Sequence, residues 1–298
     1  MLYQHRKYGM VTPTVTLSNR GAIDSEAAKS LMRFLKKSGV KGAFIAGSTG
    51  NTPMLSMQEH KSLLSQYIQY AKDEHLATFA GIGRDSIDET LVMGKYAIDI
   101  GADKLVIVTP YYIKEDQKQM HSYYSKLLSK LDSSALIYNV PSLTGNNIEA
   151  ETVARLAREN VNLEGVKSTN TDFNQFQKLI YYTEKDFMVF QGYDHLLLPS
   201  LELGASGGVC GTTNFADVAV RLYSSYSKKE IDKSIKLHKR LSGIYHLLEP
   251  YEFPAAYNAM FYKLIMGRAV GGEADLFGKI GKKEVNSLSK ALKELLRS

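Results

Sequence analysis

Tryptophan is absent from this chain, and cysteine occurs once, as Cys210. A single cysteine excludes an intrachain disulfide and fits a reducing compartment. No apolar run approaches the roughly 18 residues that a membrane helix needs. The opening MLYQHRKYGM lacks the apolar stretch of a signal peptide. Together these absences lead to the expectation of a cytoplasmic protein with no membrane partner. Acidic residues are the scarcer charges, 31 against 37 lysines and arginines, for a net charge of +6. That excess raises the question of nucleic acid or an anionic substrate. The basic residues are scattered, however, and the densest groups, KKSGVK at 36–41 and GKIGKKE at 278–284, sit among helical patterns. Such groups read as solvated helix faces, so no nucleic-acid partner is expected.

Several motifs are also missing. GIGRDS at 81–86 lacks the third glycine of a dinucleotide fingerprint. There is no P-loop and no HExxH, and the seven histidines are dispersed, so a metal site has no support. What is present is ordinary for a globular chain, with 44% hydrophobic and 23% charged residues over 298 positions. That length suffices to bury a sizeable core.

A repeated pattern organises the sequence. Amphipathic segments end at a glycine, and a short β-rich run follows. Ser25–Ser38 closes at Gly39 before AFIAG (43–47), Ser86–Ile100 at Gly101 before KLVIVT (104–109), and His195–Leu203 at Gly204 before GGVCG (207–211). Glycine there is the expected left-handed C-cap. YGMVT (8–12), ATFAG (77–81), ALIYN (135–139), LEGVK (163–167) and FMVFQ (187–191) complete eight strand candidates. The runs are almost continuously apolar, which predicts burial on both faces. Eight βα units imply parallel strands closed into a (β/α)8 TIM barrel. Residues 1–216 form the barrel body in this reading. Residues 217–298 supply the last barrel helix and extra C-terminal helices of the same single domain.

In such barrels the active site lies at the C-terminal ends of the strands. Those ends carry Thr12-Pro13, GSTG (47–50), Gly81-Ile82-Gly83, Thr109-Pro110-Tyr111-Tyr112, Tyr138-Asn139, Lys167-Ser168-Thr169, Gly192-Tyr193-Asp194 and Gly211-Thr212-Thr213. One amine stands among hydroxyls, phenols and glycines. In an apolar-walled pocket the charged form of an amine is disfavoured, and the neutral form attacks a ketone to give a Schiff base. The resulting iminium withdraws electrons from the neighbouring carbon. Tyr138, ending the adjacent strand, is placed to carry a proton. GSTG offers backbone N–H groups and two hydroxyls to a carboxylate. Each feature also has a plainer explanation. Lys167 could be a partly exposed lysine past the strand end, paired with a helix carboxylate. Tyr138 could be a core tyrosine, and GSTG an ordinary βα turn. GASGGVCG (204–211) could serve a phosphate, or close strand packing.

VTP (11–13), GSTG, TPYY (109–112), YNVPSLTG (138–145), GVKST (165–169) and GYD (192–194) followed by GASGGVCGTTN occur in this order. In them the chain resembles the pyruvate-dependent class I aldolases of the dihydrodipicolinate synthase and N-acetylneuraminate lyase superfamily, over about residues 8–216. The resemblance implies a barrel with C-terminal helices, a homotetramer built as a dimer of dimers, and no cofactor. It implies that Lys167 forms the Schiff base with a 2-oxo acid and that Tyr138 is the proton-shuttling phenol. Ser48 and Thr49 would hold the substrate carboxylate. Ser48 would also link Tyr138 to Tyr112, which in several members crosses into the neighbouring subunit's site.

Departures from the family patterns narrow the substrate. Dihydrodipicolinate synthases carry PSRTG, whose arginine binds a carboxylate. Leu143 stands in its place here and cannot replace a bidentate clamp. N-acetylneuraminate lyases have an acid after GYD, where this chain has His195, and a serine where it has Gly211. Archaeal-type 2-keto-3-deoxygluconate aldolases share the pattern GxTGxxPxLS, met here by GSTGNTPMLS (47–56), and also lack the arginine. Members that accept the 6-phosphorylated substrate tend to have tyrosine where this chain has Val140, and no clear set of basic residues stands ready for a phosphate, Lys114 being a candidate. By the same resemblance Thr169, Gly192, Asp194 and Gly211 would line a sugar-hydroxyl subsite. The expectation is therefore a lyase that cleaves 2-keto-3-deoxygluconate to pyruvate and glyceraldehyde. Alternatives are the same chemistry on another 2-oxo acid, as in N-acetylneuraminate lyase or dihydrodipicolinate synthase, and a sensor that binds a 2-oxo acid without turnover.

Overall fold

A computed structural model of the chain describes residues 5–19, 22–268 and 280–297. The initial MLYQ and the first two residues of the GKIGKKE group lie outside the described residues. Eight strands carry the fold: β1 (Gly9–Pro13), β2 (Gly42–Ile45), β3 (Ala77–Gly81), β4 (Lys104–Val108), β5 (Ala135–Asn139), β6 (Leu163–Ser168), β7 (Met188–Gln191) and β8 (Gly207–Val209). They form one closed parallel barrel in the order β1-β8-β7-β6-β5-β4-β3-β2. This is the (β/α)8 architecture expected from the sequence. Most strand residues are buried without alternation, as expected for strands covered on both faces.

Three runs stop short of their sequence limits, KLVIVT by one residue at Val108. AFIAG ends as strand at Ile45, because Ala46 turns into the left-handed region at φ 60°. GGVCG ends at Val209, where Cys210 leads into a 3-10 turn, Gly211–Asn214. The three glycine stops are borne out: Gly39, Gly101 and Gly204 have φ of 85°, 80° and 111°.

By density of internal packing the chain falls into two compact units. One comprises residues up to Gly9 together with Phe79–Val209. It holds β4 to β8 and the helices α3 (Ile87–Asp99), α4 (Gln117–Leu128), α5 (Ala150–Glu159), α6 (Phe173–Tyr182) and α7 (Leu197–Leu203). Ser86 caps α3, and Asp116 with Gln119 closes a capping box at α4, so the first turns of both helices have partners for their free N–H groups. Inside this unit Tyr8, Phe79 and Phe190 meet edge-to-face, with ring centroids 5.5 to 6.5 Å apart.

The other unit comprises residues 10–78 and 210–298. It contains α1 (Ser25–Ser38), α2 (Met57–Asp73), α8 (Val218–Ser227), α9 (Ile231–Leu248), α10 (Ala255–Met260) and α11 (Lys282–Arg297), with a π-helical turn, Phe261–Ile265, after α10. Asp24 concentrates several links here. Its carboxylate accepts the Ala27 amide as the N-cap of α1 and also takes the Tyr262 hydroxyl and the Arg268 guanidinium. The C-terminal helices are thereby tied to the start of α1. No helix of the described residues is long and apolar enough to cross a membrane.

Candidate active site

Lys167 lies within β6, one residue before its end, and is 4% exposed. Its strand register explains what it meets. Ala135 pairs with Leu163, but Leu136 pairs with Gly165, so Glu164 is an extra residue bulged out of the ladder. Without that bulge Val166 would stand opposite Tyr138. With it, Tyr138 is aligned with Lys167. The Lys167 Nζ then sits over the Tyr138 ring, 4.0 Å from its centroid. Tyr138 is itself 3% exposed. The plainer alternative, a partly exposed lysine beyond the strand end, does not describe this side chain.

Thr169 and Gly192 are brought together next to that pair in sequence. A Cβ at Gly192 would fall 1.9 Å from Thr169 Oγ1 and 3.1 Å from the Ser168 carbonyl, so only glycine fits there. Thr169 Oγ1 and Ser168 Oγ are buried with no hydrogen-bond partner among the described residues. Asp194 is buried and opens the 3-10 turn Asp194–Leu196. His195 follows it, its ring 5.3 Å from that of Tyr193. Val140 is buried at the head of the single helical turn Pro141–Thr144, and that turn leaves Leu143 57% exposed.

The loop after β4 contrasts with this buried group. Tyr112 is 95% exposed and adopts a positive φ of 72°. It is not brought against Tyr138. Lys114 is exposed on the same loop. Tyr111, by comparison, donates its hydroxyl to Asp85. Burial, then the Asp85 hydrogen bond and charge, push the Tyr111 phenol well above its ordinary pKa.

In the other unit, Ser48–Gly50 forms a 3-10 turn directly after β2. Thr49 is buried and Ser48 half-buried. The turn is anchored from below. Thr52 Oγ1 donates to the Gly47 carbonyl at 3.0 Å, and Thr16 Oγ1 to the Gly50 carbonyl at 2.7 Å. Ala46 and Asn51 flank it in the left-handed region at φ 60° and 54°. Two non-glycine residues in that region on either side of a four-residue turn mark a backbone held by its surroundings. Thr12 Oγ1 donates to Thr213 Oγ1 at 2.8 Å, and Asn214 Nδ2 to the Pro13 carbonyl at 2.8 Å, which locks the loop after β8 to the end of β1. Gly211 faces the Tyr257 ring from α10, and a Cβ on it would lie 2.7 Å from that ring.

Sequence reasoning did not single out Tyr257, Asp85 or Asn146. Tyr257 and Asp85 meet their partners only through the fold. Asn146, which directly follows the left-handed Gly145 in TGNN (144–147), had a weak signal as a polar loop residue beside a turn glycine. Among the described residues no three His, Cys, Asp or Glu side chains gather as a metal-binding group.

This geometry can be set beside known proteins. The model of the dihydrodipicolinate synthetase family matches residues 7–294. A 2-dehydro-3-deoxy-D-gluconate/2-dehydro-3-deoxy-phosphogluconate aldolase of Picrophilus torridus is 41% identical over 255 residues, covering 85% of this chain and 93% of the relative. A 4-hydroxy-tetrahydrodipicolinate synthase of Hydrogenobaculum sp. is 31% identical, covering 80% of this chain and 82% of that protein. A solved structure of 2-keto 3-deoxygluconate aldolase from Picrophilus torridus superposes with a TM-score of 0.85 at 38% identity, over 94% of this chain and 99% of the other. With the barrel, the buried lysine and these matches in place, the chain belongs to the dihydrodipicolinate synthetase family and is an aldolase-type lyase.

Proposed function

We propose that the enzyme is a Schiff-base aldolase that cleaves 2-keto-3-deoxygluconate to pyruvate and glyceraldehyde. The observation that carries the mechanism is the buried Lys167 with its Nζ 4.0 Å over the Tyr138 ring. The amine attacks the C2 ketone, and water leaves to give an iminium. The Tyr138 oxygen takes the proton of the C4 hydroxyl. The C3–C4 bond breaks, and its electron pair passes into the iminium as an enamine while glyceraldehyde departs. Protonation at C3 and hydrolysis release pyruvate and restore the amine. The ring face beside Nζ attracts the positive iminium as well. The substrate carboxylate is assigned to the Ser48 and Thr49 amides, and the Tyr138–Ser48–Tyr112 set to the proton relay. Covalent chemistry on Lys167 requires no cofactor.

Substrate choice rests on Leu143, Val140 and the group around Thr169. Leu143 removes the arginine clamp that a dihydrodipicolinate-type aldehyde would need. Thr169 Oγ1, buried without a partner, is suited to a sugar hydroxyl, since an unmade buried hydrogen bond costs about 1–3 kcal/mol until it is satisfied. Gly192 stands beside it, and Asp194 and Gly211 are assigned to the same subsite by the family resemblance. Val140 supplies no hydroxyl for a phosphate, which favours the unphosphorylated sugar acid, although the Picrophilus torridus relative is named for both substrates. By the family resemblance the enzyme is also assigned as a tetramer in the cytoplasm; the nearly fully exposed Tyr112 is accessible to a second copy of the chain.

The test is pyruvate release from 2-keto-3-deoxygluconate and from N-acetylneuraminate, side by side, with borohydride in parallel. Turnover of the first with a reduced adduct on Lys167 is expected. Turnover of the second alone would replace the substrate. An adduct without release from either would make the protein a 2-oxo acid sensor.

A further inference from the structure

Tyr112 holds a conformation that a non-glycine residue keeps only where its surroundings impose it. The constraint is found on the next βα loop. Asn146 is 3% exposed, and its carboxamide is wholly engaged with the Tyr112 loop. Nδ2 donates to the Pro110 carbonyl at 2.8 Å and to the Ile113 carbonyl at 2.7 Å, and Oδ1 accepts the Glu115 amide at 2.9 Å. A flipped amide would set its oxygen against two carbonyls, so one orientation alone is possible. These three bonds bracket Tyr112, from two residues before it to three after.

Asn146 is fixed in its turn. Its amide donates to Thr144 Oγ1 at 3.3 Å, Thr144 Oγ1 donates to its carbonyl at 3.0 Å, and Thr109 Oγ1 reaches Thr144 Oγ1 at 3.1 Å. Asp85 pins the neighbouring Tyr111 from the other side. The loop is therefore built around one exposed phenol, and nothing in its own sequence supplies the clamp.

We propose that Asn146 is a positioning residue that holds Tyr112 for the proton relay. This rests on the reading above, in which Tyr112 completes that relay. Asn146 touches no substrate and acts only through the backbone of the Tyr112 loop. Loss of the clamp leaves Tyr112 free to relax toward negative φ and swing its phenol away. A displacement of about 1 Å in such a group lowers the rate by up to roughly 10².

The experiment is steady-state cleavage of 2-keto-3-deoxygluconate by Asn146→Ala and Asn146→Asp, each in the wild-type and in the Tyr112→Phe background. Thermal melting and borohydride trapping of pyruvate on Lys167 are measured alongside. Asn146→Asp keeps the shape and the acceptor for Glu115 while losing both donors, so it reads the clamp even where the alanine variant folds poorly. The expected result is a kcat lowered on the order of 10² in the wild-type background, with KM and adduct formation little changed. In the Tyr112→Phe background the same substitutions then lower kcat hardly further, because the group they position is gone. Equal losses in both backgrounds would make Asn146 merely structural and overturn the proposal. So would wild-type kcat in both Asn146 variants while Tyr112→Phe is impaired. If Tyr112→Phe alone turns over normally, the relay assignment itself fails and takes the proposal with it.

Discussion

The two ends of β4 to β6 each present a lysine, and the two are built oppositely. Lys104 opens β4 with a side chain 16% exposed, donating to the Glu164 carboxylate and to Ser134 Oγ. Lys167 stands near the other end of β6, buried against a phenol ring. Both arrangements come from the same extra residue. The bulge at Glu164 turns that carboxylate toward Lys104 and, three positions on, aligns Lys167 with Tyr138. The lesson is that a lysine at the barrel's N-terminal end can be balanced by a carboxylate in contact with water, where a pair contributes little and does no chemistry. At the C-terminal end a lysine is buried against a tyrosine ring, the arrangement on which the proposed covalent chemistry rests.

The sharpest way to break this contrast is to remove the amine at the working end. Lys167→Ala is expected to abolish both turnover and the borohydride-reduced adduct, read by pyruvate release and by mass spectrometry of the protein; full activity would end the Schiff-base assignment. Tyr138→Phe comes next. It keeps the ring against Nζ but deletes the oxygen, so kcat should fall by roughly 10²–10⁴ while the adduct with pyruvate still forms. Gly192→Ala is a smaller perturbation of the neighbouring strand end. Its Cβ lies within 1.9 Å of Thr169 Oγ1, and overpacking of this kind costs about 1–3 kcal/mol. Denaturant unfolding should show that loss. Adding Thr169→Ala should recover only part of that loss, because the residue-169 Cβ at 2.9 Å and the Ser168 carbonyl at 3.1 Å remain, and it should not restore turnover of the sugar acid.

The smallest effect belongs to the N-terminal end. Burial raises the Glu164 pKa, but the hydrogen bonds from Lys104 and Ser134 outweigh it and hold the carboxyl below its ordinary value. A depressed folded pKa stabilises the protein above the ordinary glutamate range, and that contribution is lost as pH falls through the lowered value. Glu164→Gln should therefore cost only about 0.5 kcal/mol near neutral pH, the scale of a partly exposed ion pair. The difference from wild type should shrink in acid, with kcat unchanged. A large loss of kcat would mean that the Lys104–Glu164 contact, and not only the backbone bulge, sets the position of Lys167.

Much of this was legible beforehand, and the reason differs from element to element. ALIYN and ATFAG match their strands to the residue, since a short, mostly apolar run between helices has no other place to be buried. Gly39, Gly101 and Gly204 were readable as helix stops because the left-handed turn is far easier for glycine. The end of β2 was less readable. Nothing in AFIAG shows that Ala46 adopts a positive φ, because that conformation is imposed by the packing around GSTG. Lys167 and Tyr138 could be named from their strand ends, yet their contact depends on a one-residue bulge for which LEGVK gives no local signal.

The sequence by itself determined the repeat of apolar strand and glycine-stopped helix, and hence the closed barrel. It also set the chemical inventory at the strand ends, one amine among hydroxyls, phenols and glycines. Those are local properties of periodicity and residue type. Only the tertiary structure decided that Lys167 is buried over Tyr138, that Gly192 makes way for Thr169 and Gly211 for Tyr257, and that Asn146 grips the loop of Tyr112. Each of these is a contact between segments set by register and packing, and the free energy that selects it exists only once the chain has closed on itself.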